Sequence, residues 1–399
     1  MKSAPVTMKF HRLRKAAVIV LRPLVSPFIK RAMNYECGKD KGPEGPCIVV
    51  ANHNADLDPA LVLLGFTGHM YFVASEHALR GGFAAKLLKW VFSPIPISKT
   101  NTDTSATKEI LRRLKRGANV CVFAEGNRSY NGITGNIEPS IAKLIKISGA
   151  ALITYHMEGG YFTSPRWSSK KRKGRIRGRI AGRYSPLELK SMDVSRILAI
   201  IEKDIYENAY ERQRNENIRF KGKGLAENIE TALYLCPKCG GVGSIRSHGD
   251  RFYCACGLEG EYQETGFMDG KGLPFDNVAD WYGWQASKLP VLIEGAGEGA
   301  VFSDEGQSLF RVSTAAKRKF IGSGPMNISK DKFECAGLAF PLRDITGFAI
   351  VGQMTLLFGA VGGAQYEIRS PYPRSALKYL EAFKALNERN NIFLSAKER

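Results

Sequence analysis

Pro46-Cys47-Ile48-Val49-Val50-Ala51-Asn52-His53-Asn54-Ala55-Asp56-Leu57-Asp58-Pro59 decides how the rest of the chain is read. Cys47 to Ala51 is a short apolar run rich in β-branched residues, the pattern of a buried strand. A polar turn follows, and Asp58-Pro59-Ala60-Leu61-Val62-Leu63-Leu64 opens a helix. Proline suits the first helical position because it has no N–H to satisfy there, which puts Asp58 at the N-cap. His53 then lies in the turn, with the Asp58 side chain folding back toward it. A carboxylate on one imidazole nitrogen leaves the other facing a substrate hydroxyl, the arrangement of a general base. The plainer reading is a solvated turn histidine ahead of an ordinary Asp-Pro helix start. Both readings can hold at once, since an ionised carboxylate has roughly four acceptor sites.

Beyond this stretch, helices alternate with short strands. Strands are expected at Tyr71–Ala74, Asn119–Phe123 and Ala150–Tyr155. Helices are expected over Gly82–Phe92, from a cap at Thr102 or Asp103 to Gly117, over Pro139–Ser148, and as one long element over Leu187–Arg212. Such alternation implies an α/β fold, a mixed sheet flanked by helices. Phe123-Ala124-Glu125-Gly126-Asn127-Arg128-Ser129 emerges at the carboxyl end of a buried strand, where open α/β sheets place ligands. Gly126 permits a tight turn, and Arg128 is a forked donor matched to phosphate. The alternative is a surface Glu–Arg pair in an ordinary turn.

Taken together, Asn52-His53-x4-Asp58 and Phe123-x-Glu125-Gly126-x-Arg128-Ser129, which begins seventy residues after His53, resemble the glycerolipid acyltransferase family. The resemblance spans residues 5–212. It implies that His53 and Asp58 are catalytic and that the turn of Glu125, Gly126, Arg128 and Ser129 binds the phosphate of the acceptor. It also implies that Ile97-Ser98-Lys99 lines the acceptor site, with Lys99 where arginine is commoner. The activity implied is transfer of a fatty acyl group from an acyl thioester of acyl carrier protein or coenzyme A. The acceptor implied is 1-acyl-sn-glycerol-3-phosphate, a lysophospholipid, or else another lysolipid or hydroxylated lipid. Backbone N–H groups at the Asp58 helix start are candidates for the oxyanion, and the chemistry needs no cofactor. Ala124 and Asn127 stand where the family usually has Pro and Thr. Thr154 stands where Pro is usual, and Tyr155–Gly160 keeps only the glycine ending of the last motif.

Hydrophobic content of 44% and charged content of 24% are ordinary, so the net charge of +20 is the feature to explain. Residues 1–228 hold 39 Lys+Arg against 19 Asp+Glu, residues 229–300 hold 5 against 10, and residues 301–399 hold 14 against 9. The excess therefore belongs to the part containing His53, which favours an anionic partner there. Residues 1–35 form a basic segment with apolar residues at helical spacing, interrupted by Pro23 and Pro27. It suits a membrane interface, or a helix packed on its own core. Nine Lys/Arg and no acid fall in 166–183. Arg175, Arg177 and Arg179 share one strand face, fit for anionic lipid or an acidic carrier, or merely solvated. No apolar run approaches the ~18 residues of a spanning helix, and no signal-peptide cleavage site is evident. A cytoplasmic protein, peripheral on the inner face of the cell membrane, is expected.

Cys236-Pro237-Lys238-Cys239 and, after fourteen intervening residues, Cys254-Ala255-Cys256 resemble a zinc ribbon with a structural Zn²⁺. Because Cys-x-Cys is tighter than the usual knuckle, His248 is an alternative ligand. The domain reading is a membrane-interface segment 1–35, an acyltransferase domain 36–213 and a linker 214–228. A ribbon 229–266, a connector 267–300 and a β-rich domain 301–399 follow. In the last of these, short strands and a helix from about Pro373 to Arg389 resemble a pleckstrin-homology-like module. A zinc-ribbon nucleic-acid-binding protein is the rival class. The ribbon segment is net acidic, which opposes it, and no nucleic-acid partner is expected.

Overall fold

Every residue of Cys47–Ala51 is buried, and its alternating side chains divide the core in two. Cys47, Val49 and Ala51 join one apolar cluster, and Ile48 and Val50 the other, as a strand covered on both faces requires. The computed structural model describes residues 11–43, 45–75, 92–97, 104–314 and 317–397. Lys99, the Gly82–Phe92 helix apart from its last residue, and the caps expected at Thr102 or Asp103 lie outside the described residues. The chain divides into two compact units, one built mainly from residues up to 221 and one mainly from residue 222 onward.

The first unit holds a seven-stranded sheet. Its strands are β1 (Tyr35–Cys37), β2 (Cys47–Ala51), β3 (Met70–Ser75), β4 (Ile95–Ile97), β5 (Asn119–Phe123), β6 (Ala151–Glu158) and β7 (Ile176–Tyr184). They lie in the order β1-β7-β6-β2-β5-β3-β4. β2 runs parallel to β5 and β6, whereas β7 is antiparallel to β6, so the sheet is mixed as expected. Its helices are α1 (His11–Met33), α2 (Asp58–Leu64), α3 (Ser105–Lys115), α4 (Pro139–Ser148), α5 (Gly160–Thr163), α6 (Pro186–Ser191), α7 (Val194–Ile205) and α8 (Ala209–Glu216). Ile110 and Leu114 of α3, Ile141 and Ile145 of α4, and Ile197, Ile201 and Ile205 of α7 fill one side of the sheet. Leu61 to Leu64 of α2 and Val18 of α1 fill the other.

The single helix expected over Leu187–Arg212 is instead three. Ser185 and Glu188 form a capping box, Asp193 caps α7, and Asn208 caps α8 through the N–H groups of Tyr210 and Glu211. Each cap restarts the helix because its side chain satisfies N–H groups that have no partner within the new first turn. Thr154, at the position of the family's usual proline, is a structural residue. Its hydroxyl donates to Asp204 Oδ2 at 2.6 Å, an oxygen that also accepts from the Tyr184 hydroxyl.

The reading of the N-terminal segment as a helix packed on its own core holds for one stripe of α1. Val18 and Ser26 are buried, and Arg22 donates to the carbonyls of Phe66 (2.5 Å) and Gly68 (2.9 Å). Opposite, Leu13, Val20, Leu24 and Phe28 are exposed, the last two at 73% and 74%. The helix runs on through Pro23 and Pro27. Among the described residues no helix is long and apolar enough to cross a membrane. The basic run of 166–183 proves largely neutralised. Arg175 pairs with Glu36, Arg177 with Glu158 and Glu216, Arg179 with Glu158, and Arg183 with Asp40, while Arg166 and Arg172 are buried. The acids come from β1, β6, α8 and the loop at Asp40, so the run is not an open patch.

In the second unit, β8 (Ile245–His248), β9 (Arg251–Cys254), β10 (Glu259–Tyr262) and β11 (Met268–Asp269) form a small antiparallel sheet. The 267–300 connector contains a helix, α9 (Val278–Gly295), capped by Asn277 on Asp280 N–H. Gly283 and Pro290 within it disguise it in the sequence. The last sheet, in the order β15-β14-β13-β12-β18-β17-β16, is antiparallel throughout. It comprises β12 (Phe302–Thr314), β13 (Lys317–Ile328), β14 (Lys332–Cys335), β15 (Leu338–Pro341), β16 (Ile345–Val351), β17 (Thr355–Ala360) and β18 (Gln365–Arg369), followed by α10 (Leu377–Lys397). The start of β12, Ser303-Asp304-Glu305-Gly306, is polar. A register shift between Asp304 and Gln307 also breaks its alternation.

Gly159 ends β6 at φ +79°, and a Cβ there would lie 2.2 Å from the backbone oxygen of Arg175. Gly159→Ala should therefore cost about 1–3 kcal/mol. By calorimetry, the transition of the first unit should fall by several degrees; an unchanged transition would contradict the close approach.

Candidate active site

The Asp58 side chain turns back on the segment before it. Oδ2 lies 2.8 Å from His53 Nδ1 and accepts the N–H groups of Asn54 (2.6 Å) and Ala55 (2.8 Å). The expected N-cap role is corrected by one residue. Leu57 is the cap, Asp58 is the first helical residue, and no side chain caps α2. The bonded oxygen of Asp58 faces backward, and neither of its oxygens accepts an N–H group from α2. The helix-start amides expected for the oxyanion are also engaged, Asp58 N–H on Ala55 O and those of Ala60 and Leu61 on Leu57 O. Asp58 is wholly buried. A carboxylate on Nδ1 makes that nitrogen the proton carrier and leaves the Nε2 lone pair to act as a base. The His53 side chain is 21% exposed. Its ring stacks on Phe123 with centroids 4.3 Å apart and planes at 24°.

Three neighbouring segments fix this turn. Asn52 pairs with Met157 as a strand would, donating to its oxygen and accepting its N–H, both at 2.8 Å. Asn54 Nδ2 donates to the same oxygen at 3.2 Å. Gly160 packs here, where a Cβ would sit 3.2 Å from that of Asn54. The third segment is the turn after β5. Glu125 Oε1 accepts His53 N–H at 2.6 Å, and Oε2 accepts Gly135 N–H at 2.8 Å. Ser129 N–H donates to His53 O at 3.0 Å. The Ser129 hydroxyl is spent inside its own turn, donating to Ile133 O and accepting Gly132 N–H. Gly126 has φ +65° with nothing within 4 Å of its missing Cβ. Arg128 lies beside the histidine turn, with Nη1 3.2 Å from Asp56 Oδ1 and 3.3 Å from Ser164 O.

His53, Asp58, Glu125, Gly126, Arg128 and Ser129 are thus brought together. Phe123, Asn54 and Asp56 are further members of the site. Asn54 and Asp56 fall within the unspecified x4 of the motif, where no pattern marks them. Part of Glu125 reaches solvent, yet its carboxyl group sits deep among protein atoms. Desolvation raises its pKa to about 8 against the opposing bonds from Gly135 and His53, with Asp58 adding a further rise. A shallow depression of about 450 Å³ lies elsewhere, among Glu36, Cys37, Glu158, Arg177 and Arg179, and its arginines are already paired.

Residues 34–158 match the family model described as Acyltransferase. This segment is an acyltransferase-like domain. A likeness is also found to the crystal structure of the 1-acyl-sn-glycerophosphate (LPA) acyltransferase, PlsC, from Thermotoga maritima. It has 20% identity and a TM-score of 0.39, and covers 50% of this chain and 82% of that one. No curated protein matches the chain.

In the second unit, the Sγ atoms of Cys236, Cys239, Cys254 and Cys256 all lie within 4.8 Å of one another. Cys236 to Cys256 is 3.7 Å and Cys239 to Cys254 is 3.8 Å. These exceed a disulfide bond of ~2.05 Å and match the ~3.8 Å edge of a tetrahedron with metal–sulfur bonds of ~2.3 Å. The donor set fits a tetrahedral ion, and His248 is not part of it.

The raised Glu125 pKa makes a pH prediction. Burial of the neutral acid favours the fold below the unfolded value of 4.5, and this is lost as pH rises through about 8. In denaturant melts, the stability of the natural protein relative to Glu125→Gln should therefore decline from pH 6 to pH 9. Parallel pH curves would show that this carboxyl does not titrate there.

Proposed function

We propose that the first unit is an O-acyltransferase. It moves a fatty acyl group from a thioester of acyl carrier protein or coenzyme A to the free hydroxyl of 1-acyl-sn-glycerol-3-phosphate, giving phosphatidic acid. The observation that carries the proposal is the Asp58–His53 pair with Arg128 beside it at the carboxyl ends of β2 and β5. Nε2 of His53 takes the acceptor's hydroxyl proton as that oxygen bonds to the thioester carbon. The C–S bond then breaks, and the leaving thiolate takes the proton from the imidazolium, which Asp58 stabilises meanwhile. Arg128 and Gly126, with Lys99, hold the acceptor phosphate, and Arg128 exchanges Asp56 for it. The exposed apolar stripe of α1, flanked by basic residues, supports a peripheral site on an anionic membrane surface at the cytoplasmic face. Seven antiparallel strands and one terminal helix support the pleckstrin-homology-like reading of the last domain.

The four cysteines hold a structural Zn²⁺ in this proposal. Metal analysis of reduced, purified protein should find about one zinc per chain, and chelation should loosen residues 229–266 to proteolysis. Protein free of zinc and equally resistant would remove the ribbon reading.

His53→Ala should lose roughly 10²–10⁴-fold in turnover with acceptor binding little changed, and Asp58→Asn should fall comparably. Arg128→Ala should raise the acceptor KM by roughly 10- to 150-fold, for a lost charge-assisted contact of about 1.5–3 kcal/mol. An acceptor without phosphate should not notice it. Asp56→Asn should do the reverse, lowering KM for the phosphorylated acceptor by up to about fivefold, the scale of an exposed ion pair. Steady-state kinetics on both acceptors decides: an active His53→Ala would end the mechanism, and an Arg128 effect blind to phosphate would end the acceptor assignment.

A further inference from the structure

We propose that Glu125 is a positioning residue that locks the catalytic turn onto the phosphate turn and does not itself contact the acceptor. The inference rests on the acyltransferase reading of His53. Both carboxyl oxygens of Glu125 are occupied by backbone donors from different segments, Oε1 by His53 N–H at 2.6 Å and Oε2 by Gly135 N–H at 2.8 Å. One side chain thereby ties the turn after β2, the turn after β5 and the approach to α4. The peptide oxygen of His53 is held as well, by Ser129 N–H at 3.0 Å. Both backbone polar groups of the base are thus fixed by the 125–129 turn. A ligand role fits poorly, because both oxygens already accept backbone N–H groups and neither is left to face an acceptor. A scaffold role fits well, since a base displaced by about 1 Å loses on the order of 10²-fold in rate.

The test uses the full chain, comparing Glu125→Ala and Glu125→Gln with the natural protein in two readouts. In kinetics with lysophosphatidic acid and an acyl thioester, Glu125→Ala should lower kcat by about 10- to 100-fold, with acceptor KM held within about threefold. Glu125→Gln keeps one carbonyl acceptor and should fall between. In hydrogen exchange, the amides of His53 and Gly135 should exchange faster in both variants, while those of β3 and α7 stay unchanged. A KM raised tenfold or more at preserved kcat would make Glu125 an acceptor contact and overturn the proposal. Unchanged exchange at His53 would overturn it equally. Should Glu125→Ala fail to fold, Glu125→Gln decides by the same two readouts. If the natural protein leaves lysophosphatidic acid untouched, the substrate reading fails, and the exchange comparison still judges the lock.

Discussion

One oxygen, Asp58 Oδ2, takes three hydrogen bonds, from the His53 ring and from the N–H groups of Asn54 and Ala55. The rest of the site depends on this. A carboxylate buried so completely is tolerated only where several donors replace its lost water. Those donors come from the turn it must shape, so closing the turn and orienting the imidazole are a single event. Asp58 Oδ1 is buried and has no partner among the described residues. The site therefore keeps some polar frustration, as functional sites commonly do.

The sheet explains how two motifs so far apart in sequence become one site. β2 and β5 are parallel, with Ala51 opposite Phe123. Neighbouring strands lie ~4.8 Å apart, so whatever follows Ala51 must stand beside whatever follows Phe123. His53 and Glu125 are each two residues beyond that pair, and a hydrogen bond joins them. Phe123 itself, the last residue of its strand, lies under the imidazole ring.

What was legible in the sequence was local or carried by spacing. The apolar run of β2, the His53–Asp58 pair and the two cysteine knuckles each declare themselves within a few residues. The Asp58 cap was misplaced by one residue because Asp-Pro looks alike whether the carboxylate points forward or back. The basic run of 166–183 misled for a different reason. Its counter-charges, Glu36, Asp40 and Glu158, arrive through strand pairing and loops, which counting along the chain does not see. The α9 helix was hidden by Gly283 and Pro290. Asp56 was invisible because its partner Arg128 is seventy-two residues away.

Neutralisation of β7 also changes where an anionic partner would meet this unit. Once its arginines are paired with acids, the positive excess of residues 1–228 shifts toward α1 and the exposed lysines 171 and 173. On α1, Arg31 is exposed at the C-terminal end of a stripe that leaves Leu13, Val20, Leu24 and Phe28 in solvent. Long basic side chains can reach headgroups while an apolar stripe enters the acyl boundary. The opposite stripe is anchored by Arg22 to the carbonyls of Phe66 and Gly68, just beyond α2. Because α2 begins at Asp58, a membrane contact on α1 and the His53 turn would share one short, rigid path. On the proposed function, the lipid acceptor would then be drawn from the same surface that α1 would contact.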